Sequence, residues 1–308
     1  MTATATPADP PRRAALREAG GPRLSDRLSA GVLILPGVVW LMILFLLPLG
    51  IMAVISLGSV DAGGHVTLAQ PGLENYQEAF RPEYFPAFVR SLYYAGAATV
   101  LSLGIGYPVA YWISRHGGRR KILLLILVML PFWTSWLIRT YAWMIILRDN
   151  GIVNSVLLDS GVIDDPIQIL NTDFAVILGM TYGFLPYAIL PLFVSIDRLD
   201  ESLVQAGRDL YASGRGAFLH VTLPLTMPGI VAAALLTFIP ALGDFVTPDL
   251  LGGADTTTLA KLVQVIFTSG RDWPYGSALG FLLMAVTIVG TLLALRTLRQ
   301  EVIGSPAR

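Results

Sequence analysis

Two charged side chains sit inside long apolar stretches, where chemistry is least easily explained away. Arg139 interrupts the run Ile122–Leu147, and Asp244 follows the uncharged run Val221–Gly243. A charge held away from water is costly and marks an ion pair, a substrate contact or a transport pathway. Arg139 lies 17 residues beyond Ile122 and Asp244 lies 16 beyond Pro228. At about 1.5 Å per helical residue, both would stand about 24–26 Å along their segments. Three readings are open: the two neutralise each other, Asp244 meets a cationic substrate, or Arg139 extends its charge to the outer headgroups. Near Arg139, the residues Trp133, Trp136, Thr140 and Trp143 fall within a stripe of about 80° on a continuous helix. Such a stripe could cradle an ammonium group through cation–π contacts, or simply pack and anchor the helix.

Other chemistry is poorly supplied. The three histidines, His65, His116 and His220, are isolated from one another, and there is no cysteine. Thiol catalysis, disulfides and thiolate metal sites are excluded. No pair of carboxylates shares an apolar stretch, and no Gly-x-x-x-x-Gly-Lys-Ser/Thr loop is present to cradle a nucleotide phosphate. An integral membrane enzyme is therefore disfavoured, with no metal and no cofactor expected in this chain.

The elements that must position Arg139 and Asp244 are membrane helices. Of 308 residues, 54% are hydrophobic and 14% charged, against about 25% charged in soluble domains. Spans are expected at about 30–57, 91–114, 122–147, 174–196, 228–251 and 274–296. Each is long enough to cross about 30 Å of hydrocarbon. Runs such as Ile122–Leu130 are apolar on every side, which argues for helices over barrel strands. The fold class is thus an all-α membrane protein with six transmembrane helices. A disordered tail is expected over 1–28, a membrane domain over 29–300, and a short tail over 301–308. The first run is too long for the apolar core of a cleaved leader, so it is expected to be retained.

Lys and Arg set the orientation. Fifteen of the 21 lie in the N-terminal tail, the second and fourth connections and the C-terminal end. Four, Arg81, Arg148, Lys261 and Arg271, lie in the odd connections. The positive-inside rule puts both termini in the cytoplasm. The opposite side carries Asp149, Asp159, Asp164, Asp165 and Asp173. With 21 basic and 21 acidic residues overall, the partner is the bilayer and no nucleic acid is expected.

The fourth connection, residues 200–223, is too long for a simple turn. Asp200 or Ser202 can cap a short helix carrying Gln205, Ala206, Gly207, Arg208, Asp209 and Leu210. Gly214 and Gly216 interrupt it, and a piece over Ala217–Leu223 leads to Pro224 and Pro228, which should turn the chain sharply into the next span. The ending Val221-x-Leu223-Pro224-x-x-x-Pro228-Gly229-Ile230 resembles the end of the coupling loop of ABC importer permeases, whose pattern opens on Glu-Ala-Ala. The opening departs from that pattern, with Gln205 for Glu, Gly207 for the second Ala and Tyr211 for the usual Gly. The resemblance covers most of residues 30–300. It is carried further by Leu73–Tyr76, Gly106–Tyr111, Pro131–Trp143 and Gly243–Pro248, and is closest to the first permease of spermidine/putrescine-type importers.

That resemblance implies a function and a set of partners. The chain would be the permease subunit of an ATP-driven importer of a small organic solute, a polyamine such as spermidine or putrescine, in a bacterial plasma membrane. Its partners would be a homologous second permease, two cytoplasmic ATPase subunits holding ATP and Mg, and an extracytoplasmic substrate-binding protein. Gln205, Ala206, Gly207, Arg208, Asp209, Leu210, Leu223 and Pro224 would couple to an ATPase. Trp133, Trp136, Arg139, Thr140 and Asp244 would line the pathway. A secondary transporter working without an ATPase, and an ABC importer of another small organic solute, are the alternatives.

Overall fold

The computed structural model describes residues 24–303 except 62, 69–70 and 212. Most of the expected tails, 1–23 and 304–308, lie outside the described residues; 24–28 and 301–303 are helical. The chain divides into a unit ending at Met52 and one beginning at Ala53. The first unit holds most of helix α1 (Leu24–Ile55). Its part Leu35–Ile55 is long and apolar enough to cross a membrane.

The second unit opens on a two-stranded ribbon, β1 (Ser59–Val60) against β2 (Val66–Thr67), and a short helix α2 (Glu74–Ala79). Asn75 Nδ2 donates to the carbonyls of Ser56 and Gly58, both at 2.8 Å. The Leu73–Tyr76 motif therefore fastens the ribbon's approach. The helices beyond it are α3 (Phe85–His116), α4 (Lys121–Met129), α5 (Trp136–Ile146), α6 (Ile152–Asp159), α7 (Asp173–Asp197) and α8 (Glu201–Tyr211). After them come α9 (Gly214–Ala217), α10 (Leu223–Leu242), α11 (Val246–Leu251), α12 (Leu259–Val265) and α13 (Trp273–Ile303). Five helices among the described residues can cross a membrane, or six if α4 and α5 form one broken span.

The core is built on α3, α7 and α10. Along α3 the buried residues Ala95, Ala98, Ser102, Gly106 and Ala110 recur every three or four positions. Small side chains at that spacing let helix backbones approach closely, which is how helices associate where lipid supplies no hydrophobic drive. The partners run in step: Tyr94 meets Asp173, Ser102 meets Thr181 and Ser114 meets Asp197. The sequence offset stays near constant, at 79, 79 and 83, so α3 and α7 are parallel. Two parallel spans need one crossing between them. The segment α4–α5 is therefore a broken span and not a re-entrant loop.

That break corrects the expected straight helix over 122–147. The two halves meet at 81°. Pro131 has no N–H to give the helix, Leu130–Trp133 tighten into a 3₁₀ turn, and Thr134 and Ser135 are extended. Uncharged Thr and Ser do not interrupt an apolar run, so the break is invisible to a count of charges. Two further boundaries differ. The fifth span covers Gly214–Leu242, not 228–251. Nor does the chain turn sharply at Pro224 and Pro228, because a π turn over Phe218–Thr222 carries the helix into α10 with Pro224 in its first turn.

Candidate functional site

Two clusters hold the residues singled out above, and they lie on different elements. The first is α8. Asp200 Oδ1 accepts the Ser202 N–H at 2.9 Å, so Asp200 caps the helix. The Ser202 hydrogen bonds also hold the Asp200 carboxyl below its ordinary pKa, keeping it an ionised acceptor at neutral pH. Gly207 is the buried residue of α8. A Cβ added there would stand 2.6 Å from Val221 Cγ2 and 3.7 Å from Ala217 Cβ. Gly207 thus lets α8 close onto the turn leading into α10. It packs inward, whereas Gln205, Ala206, Arg208, Asp209 and Leu210 are exposed. Leu210 is 82% exposed, the most of any large hydrophobic residue described.

Behind α8 the loop is tied to α3. Phe218 sits edge-on to the rings of Tyr107 and Tyr111, with centroids 5.7 and 6.0 Å away, and the Tyr107 hydroxyl is 2.9 Å from Thr226 Oγ1. Arg115 reaches Glu201 at 3.4 Å. A cavity of about 190 Å³ lies between the two helices, lined by Tyr111, Arg115, Gln205 and Arg208 among others. Lys121 Nζ is 2.8 Å from both carboxylate oxygens of Asp197, joining the start of α4 to the end of α7. The Gly106–Tyr111 motif and Val221 thus form a stiff mount for α8. Phe218 and Val221 are not among the expected site residues: Val221 enters only as the start of the loop-ending pattern, and neither residue's packing role shows until its neighbours are known. Leu223 and Pro224 begin α10; Leu223 is half-buried and Pro224 exposed.

The second cluster surrounds the break. Trp136 packs on Phe184 with centroids 4.9 Å apart, its indole filling the notch at Gly183, where an added Cβ would run into the ring. Trp143 meets Tyr182 edge-on at 5.4 Å, and Phe132 meets the same Tyr182 at 5.1 Å. Thr140 is buried and donates to the Trp136 carbonyl. Trp133 lies before the break and is 80% exposed. The four-residue stripe expected on a continuous helix therefore loses Trp133 and keeps Trp136, Thr140 and Trp143.

Arg139 and Asp244 are not brought together. Asp244 follows the end of α10 and caps α11: Oδ1 accepts the N–H groups of Val246 and Thr247, and Oδ2 accepts the Thr247 hydroxyl. Among the described ion pairs there is none between it and Arg139. The Arg139 Cζ instead lies 5.1 Å from the Phe132 ring centre and 5.3 Å from that of Trp136. Its Nε and Nη1 are buried with no acceptor. Equal depth holds only for two straight helices, and the bend at Thr134–Ser135 removes that premise.

Comparison with known proteins fits this architecture. Residues 86–300 match the family described as binding-protein-dependent transport system inner membrane component. The chain is 41% identical over 266 residues to the spermidine/putrescine transport system permease protein PotB of Haemophilus influenzae, covering 85% of this chain and 93% of that one. It is 43% identical over 214 residues to the protein of the same description from Escherichia coli, covering 70% of this chain and 78% of that one. Its fold is that of a chain in the crystal structure of a bacterial ABC transporter involved in alginate import, with TM-score 0.73 at 18% identity, covering 90% of this chain and 99% of that one. These relationships set aside a secondary transporter. Broken span, parallel α3–α7 pair and mounted α8 included, the chain belongs to the family of binding-protein-dependent transport system inner membrane components, the multi-pass permease subunits of ABC importers.

Proposed function

We propose that this permease imports a polyamine of the spermidine/putrescine class across a bacterial plasma membrane, with both termini and α8 in the cytoplasm. The substrate class is supported by relatives 41–44% identical that are described as spermidine/putrescine permeases. The orientation is supported by the bias of Lys and Arg toward the even connections. A homologous second permease completes the pathway, an extracytoplasmic binding protein delivers the solute, and two ATPase subunits hold ATP and Mg. Residues of the bent α4–α5 span and of the α10–α11 turn, among them Trp136, Arg139, Thr140 and Asp244, flank the pathway.

The observation that carries the coupling assignment is the contrast across α8. One face is locked through Gly207 against Val221, while Leu210 at its far end is 82% exposed. A large apolar side chain presented on a rigid mount suits insertion into a partner's pocket, the usual anatomy of an interface anchor. Ala206, Arg208 and Asp209 surround it, and motion of the ATPases passes through Phe218 and Arg115 into α3.

Two measurements test this. Leu210→Asp is expected to reduce co-purification of the ATPase subunit at least about tenfold, the scale of a lost apolar anchor, with membrane levels of the permease unchanged. Undiminished co-purification would refute the docking role. In proteoliposomes, the complete importer with its binding protein should take up radiolabelled spermidine or putrescine in an ATP-dependent way. ATP-dependent uptake of a different solute, with none of either polyamine, would replace the substrate assignment.

A further inference from the structure

We propose that the ring faces of Phe132 and Trp136 form a binding site for an alkylammonium group, and that the Arg139 guanidinium fills this site in the structure. The inference rests on the polyamine reading above for the identity of the natural ligand.

The two rings come from opposite sides of the break at Thr134–Ser135. Trp136 stands three residues before Arg139 on α5 and Phe132 lies across the break, yet both ring centres come within 5.3 Å of the one cation. Both are held from α7. Tyr182 braces Phe132 at 5.1 Å, while Phe184 and the notch at Gly183 seat Trp136. The cradle therefore does not depend on Arg139 for its shape.

Arg139 is a poor permanent occupant. A guanidinium carries five N–H donors, and buried ones left without acceptors are costly. Here Nε and Nη1 are both buried and unpartnered. The one acid in the expected pathway set, Asp244, has its oxygens committed to the start of α11. What holds Arg139 is the attraction of the ring quadrupoles for a cation, and an alkylammonium meets the same attraction. The Nε and Nη1 N–H groups lack acceptors while Arg139 stays, and reaching water or an acceptor on leaving would satisfy them. A tethered cation seated on two π faces, with two of its nitrogens unpartnered, is displaceable by a free one of the same chemistry. Arg139 would then keep the cradle closed to stray cations until delivered substrate exchanges with it.

The test uses the assembled importer, purified without its binding protein, and two probes: radiolabelled spermidine and tetramethylammonium. Wild type and Arg139→Lys, which keeps a tethered cation, should bind both weakly. Arg139→Met should bind both about tenfold tighter, the scale of an unmasked cation–π contact. Adding Trp136→Leu to Arg139→Met should return affinity to the wild-type level. Arg139→Gln serves for the same measurement if the Met variant does not assemble with its partner subunits. Binding by Arg139→Met and Arg139→Gln no tighter than wild type overturns the proposal, as does a gain that survives Trp136→Leu. Tighter tetramethylammonium with unchanged spermidine would uphold the cradle and defeat the polyamine reading. ATP-dependent spermidine uptake by wild type, with neither probe gaining affinity in the variants, would do the reverse.

Discussion

Single residues here are decided by their neighbours more than by their type. By type alone Gly207 reads as a contact for a gripping partner, because a small residue on an exposed helix permits close approach. It does permit close approach, but to Val221 and Ala217 of the same chain. Gly207→Val should therefore act by pushing α8 off its mount. Overpacking of this kind costs about 1–3 kcal/mol, and ATP-dependent uptake should fall at least about tenfold. Membrane level should be unchanged, and Gly207→Ala should be milder. Protease protection of α8 in the assembled importer would separate a displaced helix from a lost surface contact. Asp244 teaches the same lesson. A carboxylate at the end of an apolar run reads as an intramembrane charge, yet its three hydrogen bonds make it the cap of α11.

At the scale of elements, the broken span is the main departure from what periodicity suggests. A 3.6-residue repeat places side chains correctly only while the helix lasts, and this one stops at Thr134–Ser135. The consequence is measurable. On a straight helix, spin labels at Leu123→Cys and Ile145→Cys would be about 33 Å apart at about 1.5 Å per residue. A bend of 81° shortens that to about 25 Å by the same rise. Electron–electron distance measurement in the assembled importer should find the shorter value, and this chain, lacking cysteine, adds no background labels of its own. Helix α8 is more legible, because its start is marked by Asp200 and the Val221–Ile230 pattern is local in sequence. Its mount is not legible, since Tyr107 and Tyr111 lie about a hundred residues from Phe218 and nothing in their spacing announces a contact.

For the whole molecule, the parallel pairing of α3 and α7 and the charge bias make one topology. Two spans running the same way require a crossing between them, and the basic connections that follow α3 (Arg119, Arg120) and α7 (Arg198, Arg208, Arg215) then share a face. Single cysteines in an otherwise intact chain test it. A cysteine replacing Arg119, exposed between α3 and α4, should react with a membrane-impermeant maleimide only after cells are permeabilised. One replacing Asp164 should react in intact cells. The opposite pattern would invert the orientation and remove α8 from reach of cytoplasmic ATPases.

Membrane insertion, the number of spans and the side of the basic loops are properties of composition along the chain. Long uncharged runs must be helical in lipid, and the positive-inside rule assigns a side to basic loops without reference to what the helices later touch. The site is different, because it depends on distances between residues remote in sequence. Arg139 meets Trp136 on its own helix and Phe132 across the break, and the bend of 81° removes the equal depth that would set it against Asp244. Whether Gly207 faces a partner or Val221 is set by how α8 folds back on the turn into α10. Both depend on backbone hydrogen bonds and packing that form only when the helices come together, and no pattern of residue types along the chain records them.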